Sequence, residues 1–412
     1  MRKYLLIVLA LLLVGAVFLL RGQEDPSARE VPETPVNWVA DLNGTLVNEQ
    51  SQLPALDHAL DSFLNFWALH GASLAVMRND SLLYARGYGQ ADASTPMTPG
   101  TTLRLASVSK LLTAVGVMRL QEEGRLFLET PVFGPFGVLN QYDRYIRDDN
   151  YYAITVEHLL RHQGGFSNRG GDPVFSPYEN QESLLKTQLG RRLAYEPGTW
   201  QDYSNLGYLL LSLVIEKVAG MPYETFMQEA VFGPAGCREF RLAGNYLQDR
   251  LPGETRYYMQ PDAEKTVSFD RQFAEVEKCY GGNNVRGSLG AGGWTASAVE
   301  LARLVASIDG RGPVPDILSE DSVRQMTTWY DDDTYSLGWN DTKPSGEWTR
   351  SGSFSGTQAL IKVYPDGECW IFVSNTSAWR GSRFSRDIGA LFKQLRRRFS
   401  AQLPRRDLFR EN

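Results

Sequence analysis

Apolar and polar positions alternate or cluster along this chain in ways that fix most of its elements. Ser73 to Arg78 and Ser81 to Arg86 are short β-like runs joined at Asn79-Asp80, a spacing that predicts a hairpin. Gln358 to Tyr364 and Glu368 to Ser374 form a second such pair across Pro365-Asp366-Gly367, a strong turn signal. Between the hairpins the apolar spacing is helical. Leu111 to Leu120 is apolar nearly all round, which predicts a buried helix ended by Gly124, and Leu206 to Ala219 predicts another, ended by Gly220. Ser297-Ala298-Val299-Glu300 reads as a capping box opening a helix toward Gly310, and Ser385 to Phe399 as a closing helix.

Strands at both ends with helices between them predict an α+β fold, an α/β sandwich. One antiparallel sheet is built from the N- and C-terminal parts and flanked by helices, and a mostly helical insertion spans about 125–290. A catalytic cleft is expected where the insertion meets the sheet.

The run Tyr4 to Leu20 is different: seventeen uncharged, almost wholly apolar residues, preceded by Arg2 and Lys3. That length is at the short limit for a spanning helix, roughly 17–25 residues, and exceeds a usual signal-peptide core of about 7–15. The best small-x-small site, Val14-Gly15-Ala16, lies inside the run. Residues 1–21 are therefore expected to be an uncleaved signal-anchor, an N-terminal membrane helix, with a cleaved signal peptide as the alternative. The basic flank predicts an inside N-terminus and an exported remainder, at the cell membrane or, after cleavage, secreted. Residues 22–37 read as a linker, 38–395 as the folded domain and 396–412 as a basic tail.

Composition narrows the class. The chain has 412 residues, 42% hydrophobic and 22% charged, with a net charge of −6. This excludes a disordered chain and argues against a nucleic-acid partner. Three cysteines, Cys237, Cys279 and Cys369, exclude a disulfide-stapled mini-fold and form no metal-ligand cluster; they are expected as buried apolar residues, and neither metal nor cofactor is expected. The charge is uneven: seven basic and two acidic residues put the last twenty at +5 and the rest at −11. The tail is expected as a solvated helix face and frayed end, with weak, salt-sensitive contact to an anionic surface as a sharper reading.

Two motifs carry chemistry. Ser107-Val108-Ser109-Lys110 puts a hydroxyl and an amine three residues apart, on one face of a helix. A serine is a poor nucleophile until a base takes its proton. A lysine serves only when neutral, which near pH 7 requires its pKa of about 10.4 to fall by roughly three units. Burial and a neighbouring cation push it that way. Tyr203-Ser204-Asn205 lies between the turn at Pro197-Gly198 and an apolar helix. There Tyr203 could share proton transfer, and the Asn205 amide could hold Lys110 and a substrate carbonyl together. Decoys exist in Ser183 with Lys186, Tyr178-Glu179-Asn180 and Arg169-Gly170-Gly171, and only context separates them.

With these motifs in order, the chain resembles the serine β-lactamase and penicillin-binding protein family, in its class C β-lactamase-like branch of esterases, D-aminopeptidases and DD-carboxypeptidases. The resemblance runs from about Leu56 to Leu395. It includes Gly87-Tyr88-Gly89, Leu105 to Lys110, Glu123 to Leu126, Ile154 to His162, Pro197-Gly198-Thr199 through Asn205, Gly292-Gly293 and Gly338-Trp339. Nothing resembles the Glu-bearing loop of class A enzymes. The family's Lys- or His-led triplet matches Arg350-Ser351-Gly352, so an arginine stands where a group able to give up a proton is usual. The resemblance implies catalysis by Ser107, Lys110 and Tyr203, oxyanion donors at Ser107 and Ser353, and substrate binding by Asn205, Arg350 and Gly352. Arg350 would depress the Lys110 pKa and grip a substrate carboxylate. It implies a serine hydrolase acting on a small-molecule or peptide ester or amide, with a catalytically silent peptide or penicillin sensor and a transacylase as alternatives.

Overall fold

The computed structural model describes residues 48 and 51–410, apart from 176–179, 261–263, 271–274 and 331–334. The expected anchor and linker, residues 1–37, lie outside the described residues. Its elements, in chain order, are α1 (Pro54–Phe66), β1 (Gly71–Arg78), β2 (Ser81–Asp92), β3 (Thr95–Pro96), α2 (Ser109–Glu122), α3 (Asn205–Ala219), α4 (Ala298–Ala306), β4 (Asp341–Thr342), β5 (Trp348–Phe354), β6 (Thr357–Val363), β7 (Glu368–Ser374) and α5 (Phe384–Phe399), with shorter pieces between.

The seven strands form one sheet in the order β3-β2-β1-β7-β6-β5-β4. The two ends of the chain meet at its centre, where β1 pairs antiparallel with β7 from Ala72 against Ser374 to Arg78 against Glu368. Both faces are covered, which explains why these strands are apolar throughout. Alternation sends Leu74, Val76, Trp370 and Phe372 outward against α1 (Leu56, Leu60, Leu64) and α5 (Ile388, Phe392, Leu395). It sends Ala75, Met77, Ile371 and Val373 inward, into the cluster that holds α2, α3 and α4. Each fully buried aliphatic or aromatic side chain of this kind contributes roughly 1.5–3 kcal/mol.

Both hairpins and both all-apolar helices appear, although β2 runs past its expected end at Arg86 to Asp92. α3 ends on Gly220, whose left-handed φ of 73° reverses the chain cheaply because it has no Cβ. α4 is capped by Ser297 Oγ, which accepts the Glu300 N–H at 3.1 Å, but only half of the expected box forms. The Glu300 carboxylate instead accepts from the Arg238 N–H at 2.9 Å. Among its described residues the region 125–290 contains α3, three shorter α-helices and several short helical turns, but also long irregular stretches. Its strand Arg241–Leu242 joins Leu103–Arg104 and Trp294–Ala296 in a separate three-stranded sheet. All three cysteines are free and buried.

The C-terminal segment differs from a frayed tail. Arg396 pairs with Asp366 at 2.5 Å and with Glu368 at 2.7 Å. The chain then folds back, so that Leu408 N–H donates to Leu82 O at 2.8 Å while Leu408 and Phe409 are buried. Sparse apolar residues among arginines concealed this docking, and the fold extends past residue 395.

Candidate active site

The site grows from the junction of the small sheet and α2. After Leu103–Arg104, Leu105 N–H donates to Trp294 O at 2.8 Å. The chain then turns sharply: Ala106 has φ 49°, a conformation that costs a non-glycine residue about 1 kcal/mol or more. Ser107 follows in a short 3₁₀ turn, Ala106–Val108, just ahead of α2. Ser107 is half-buried, whereas Lys110, one turn on, is completely buried under the apolar body of α2.

Three segments converge on these two residues. Lys110 Nζ lies 3.2 Å from Ser107 Oγ, 2.5 Å from Asn205 Oδ1 and 2.6 Å from the Ala291 carbonyl oxygen. Tyr203 OH lies 2.7 Å from Ser107 Oγ. Tyr203 is fixed by the N-terminus of α3, where Ser204 Oγ accepts the Gly207 N–H at 3.0 Å.

Burial is the largest influence on Lys110 and lowers its pKa. Tyr203 opposes that effect and the Arg350 guanidinium adds to it. Burial alone would raise the Tyr203 phenol, but the cations of Lys110 and Arg350 outweigh it and the net direction is down. The amine and the phenol thus both have lowered pKa values, and each acts on the other by charge.

The strand β5 closes the opposite side. Its alternation turns Arg350 and Gly352 toward the Ser107 turn. A Cβ on Gly352 would sit 2.4 Å from Leu105 O and 3.1 Å from Ser107 N, so only glycine permits this approach. Arg350 is completely buried. Its Nε donates to the Ser107 carbonyl oxygen at 2.8 Å, and Nη2 donates to the same oxygen. The expected grip on a substrate carboxylate meets this geometry: Nε and Nη2 are spent on the Ser107 backbone, with no exposure to solvent, while the buried Nη1 has no hydrogen-bond partner among the described residues. Its charge still acts on Lys110 and Tyr203. Ser353 is half-buried, and its Oγ accepts from Gln358 Nε2 at 3.0 Å.

Asn205 meets Lys110 as expected, but its Nδ2 donates to Asp172 Oδ2 at 2.5 Å rather than facing an open cleft. Asp172 and its loop carried no recognisable signal in the sequence. From that loop Asn168 Nδ2 also donates to Tyr203 O at 2.6 Å. His162 packs its ring 4.5 Å from that of Tyr203, and its Nδ1 accepts the Ser204 N–H at 3.0 Å. Burial, then Lys110 and Arg350, push His162 well below its ordinary pKa, so it is a neutral support. Tyr335 packs edge-on to His162 at 4.8 Å and tilted against Tyr203 at 5.6 Å. On the helix Gln181–Leu189 the decoy Ser183 is half-buried and Lys186 is exposed. Among the described residues no group of histidine, cysteine and carboxylate side chains could hold a metal.

Known proteins share this arrangement of the chain. A family model described as Beta-lactamase matches residues 61–392. A penicillin-binding protein of Bacillus subtilis strain 168 is 30% identical over 48% of this chain and 43% of its own length. An esterase of Burkholderia gladioli is 30% identical over 45% of this chain and 50% of its own length. The chain thus spans about half the length, or less, of these curated relatives. A D-amino acid amidase from Ochrobactrum anthropi SV3, solved with L-phenylalanine, shares the fold with a TM-score of 0.66 and 18% identity, covering 84% of this chain and 99% of that one.

Proposed function

Because this chain belongs to the beta-lactamase family, we propose that it is a serine hydrolase that cleaves an ester or amide through an acyl-enzyme on Ser107. The observation that carries this reading is the convergence on Ser107 Oγ of Tyr203 OH at 2.7 Å and Lys110 Nζ at 3.2 Å. In the first step Ser107 Oγ bonds to the substrate carbonyl carbon, and its proton passes to the Lys110–Tyr203 pair. The pair returns that proton to the leaving alcohol or amine as the old bond breaks. Water repeats the sequence on the acyl-enzyme, releasing the acid and restoring Ser107.

The negative oxygen of each tetrahedral intermediate needs donors. The N–H groups of Ser107 and Ser353 are proposed for this role, and the register of β5 supports it. Phe354 pairs with Thr357 across a two-residue turn, and Ser353 with Gln358. In such a hairpin the flanking pair exchanges hydrogen bonds and the next pair does not. Ser353 N–H then points to the open edge of β5. Ser351, of the same parity, donates its N–H to Asn340 Oδ1 on that edge at 2.6 Å. Losing one oxyanion donor typically costs about 10²–10³ in rate.

The relatives include an esterase and a penicillin-binding protein, which supports substrates with a small acyl or peptide-like carbonyl. The apolar run 4–20 supports export of the catalytic domain on a membrane anchor. Reaction of the full chain with a fluorescent fluorophosphonate and a fluorescent penicillin, followed by mapping of the adduct, tests the reading. Labelling at Ser107, lost in Ser107→Ala, is expected; labelling equal in both overturns it. Binding of the penicillin without turnover of any ester or peptide would indicate the sensor instead.

A further inference from the structure

We propose that Asp172 is a positioning residue of this site, whose carboxylate fixes the Asn205 amide so that Lys110 keeps its free electron pair on Ser107. The inference rests on the acyl-enzyme reading and adds to it a residue on a different segment.

The argument is one of donors and acceptors. The Tyr203 phenol interacts with Lys110 Nζ, and three oxygens lie within 3.2 Å of it. Two of them, the Ala291 carbonyl at 2.6 Å and Asn205 Oδ1 at 2.5 Å, can only accept. A neutral lysine amine has two N–H bonds and one electron pair. With both N–H bonds committed to those oxygens, the electron pair is left to the side of the Ser107 and Tyr203 hydroxyls, with Ser107 Oγ at 3.2 Å. That is the geometry a base requires. It fails if the Asn205 amide turns over, because an N–H would then face the amine and compete for the pair.

Nothing in an asparagine itself chooses between the two orientations. Here the choice is made by Asp172 Oδ2, which accepts from Asn205 Nδ2 at 2.5 Å. The other oxygen, Oδ1, accepts the Val174 N–H at 3.0 Å and so holds the loop that carries the carboxylate. The loop is braced to the site twice more, by Asn168 on Tyr203 O and by Phe175, whose ring meets that of Phe354 on β5 at 5.2 Å. Asp172 acts on Lys110 by charge as well. Tyr203, Arg350 and Asp172 are the charged or ionisable groups that shift it, with His162 and the Tyr208 ring beside them.

Asp172→Asn preserves the size of the side chain and its hold on Val174, but presents an N–H to Asn205 and inverts the amide. The double variant Asp172→Asn with Asn205→Asp reverses donor and acceptor together, so an oxygen again faces Lys110. The experiment is the rate of fluorophosphonate labelling at Ser107 against pH, with thermal unfolding of each full-length variant. We expect Asp172→Asn to lower the plateau rate by about 10- to 100-fold with an unfolding temperature close to that of the parent. The double variant should recover most of that loss. Its acid limb should move to higher pH, because a carboxylate touching Lys110 raises its pKa. A plateau within threefold of the parent in Asp172→Asn, a double variant no faster than the single one, or a recovery with an unmoved acid limb each overturns the proposal. Absence of labelling in the parent removes the acyl-enzyme reading and this proposal together; labelling that is indifferent to Asp172 removes only the latter.

Discussion

Arg350 Nε lies 2.8 Å from the backbone carbonyl oxygen of Ser107, so the guanidinium holds the main chain of Ser107. A hydrogen bond from a charged donor contributes about 1.5–3 kcal/mol. Arg350→Ala removes that bond and the positive charge that lowers Lys110. Lys110 then needs a higher pH to become neutral, so the acid limb of the pH–rate profile moves up. The loss at pH 7, of order 10²-fold, should be the same for neutral and carboxylate-bearing p-nitrophenyl esters. A selective loss on the carboxylate-bearing ester would restore the substrate-gripping role.

Gly352 is predicted to tolerate no side chain. A Cβ there meets Leu105 O at 2.4 Å, which forces β5 away from the Ser107 turn. Overpacking of this kind costs typically about 1–3 kcal/mol. It should cost more in rate, because the proposed donor at Ser353 moves with the strand. Gly352→Ala should unfold at a slightly lower temperature and label at Ser107 on the order of 10² times more slowly. Unimpaired labelling would show that the approach of β5 is not needed.

The pH dependence of stability has a separate source at the far end of the sheet. Asp80, in the first hairpin turn, and Asp309, after α4, are both buried. Burial, then the mutual charge of the pair, raises Asp309 to about 8, and burial raises Asp80 to about 6. A carboxyl with a raised native pKa favours folding while protonated. Its contribution is full below the ordinary value of about 4 and is lost as pH rises through about 8. The protein should therefore unfold at a lower temperature at pH 8 than at pH 5.5, and Asp309→Asn should shrink the difference. An unfolding temperature that rises over that interval and is indifferent to Asp309→Asn contradicts the assignment.

The C-terminal segment is predicted to stabilise the fold. Leu408 and Phe409 are 4% and 2% exposed, and losing a buried large apolar side chain typically costs about 2–5 kcal/mol. A chain ending at residue 403 should unfold at a clearly lower temperature and lose labelling with it. Unchanged unfolding would mean that the segment is a solvated tail after all.

The distribution of legible and hidden features follows from the range of the forces involved. β1, β2, β6, β7, α2 and α3 were readable because hairpin turns and apolar runs are local, and burial on both faces removes ambiguity. The convergence of Ser107, Lys110 and Tyr203 was suggested by motif spacing together with the buried helices beside them. The inward aim of Arg350 was not readable: alternation tells which residues share a face of β5 but not which face meets the Ser107 turn. Asp172 was hidden for a related reason. Its partner Asn205 is 33 residues away, and a lone aspartate in a Gly-Pro-rich loop looks like turn chemistry. The docking of Leu408 was lost among arginines whose charges dominate the local pattern.

The central claim is that Ser107 is activated by the Lys110–Tyr203 pair and forms the acyl-enzyme. Its most direct test is intact-mass and peptide mapping of the full chain after reaction with a fluorophosphonate, for the parent, Ser107→Ala, Lys110→Ala and Tyr203→Phe. The account predicts a single adduct on Ser107, none in Ser107→Ala, and labelling slowed by roughly 10²-fold or more in the other two. An adduct on another residue, or parental rates in Lys110→Ala and Tyr203→Phe, would contradict it.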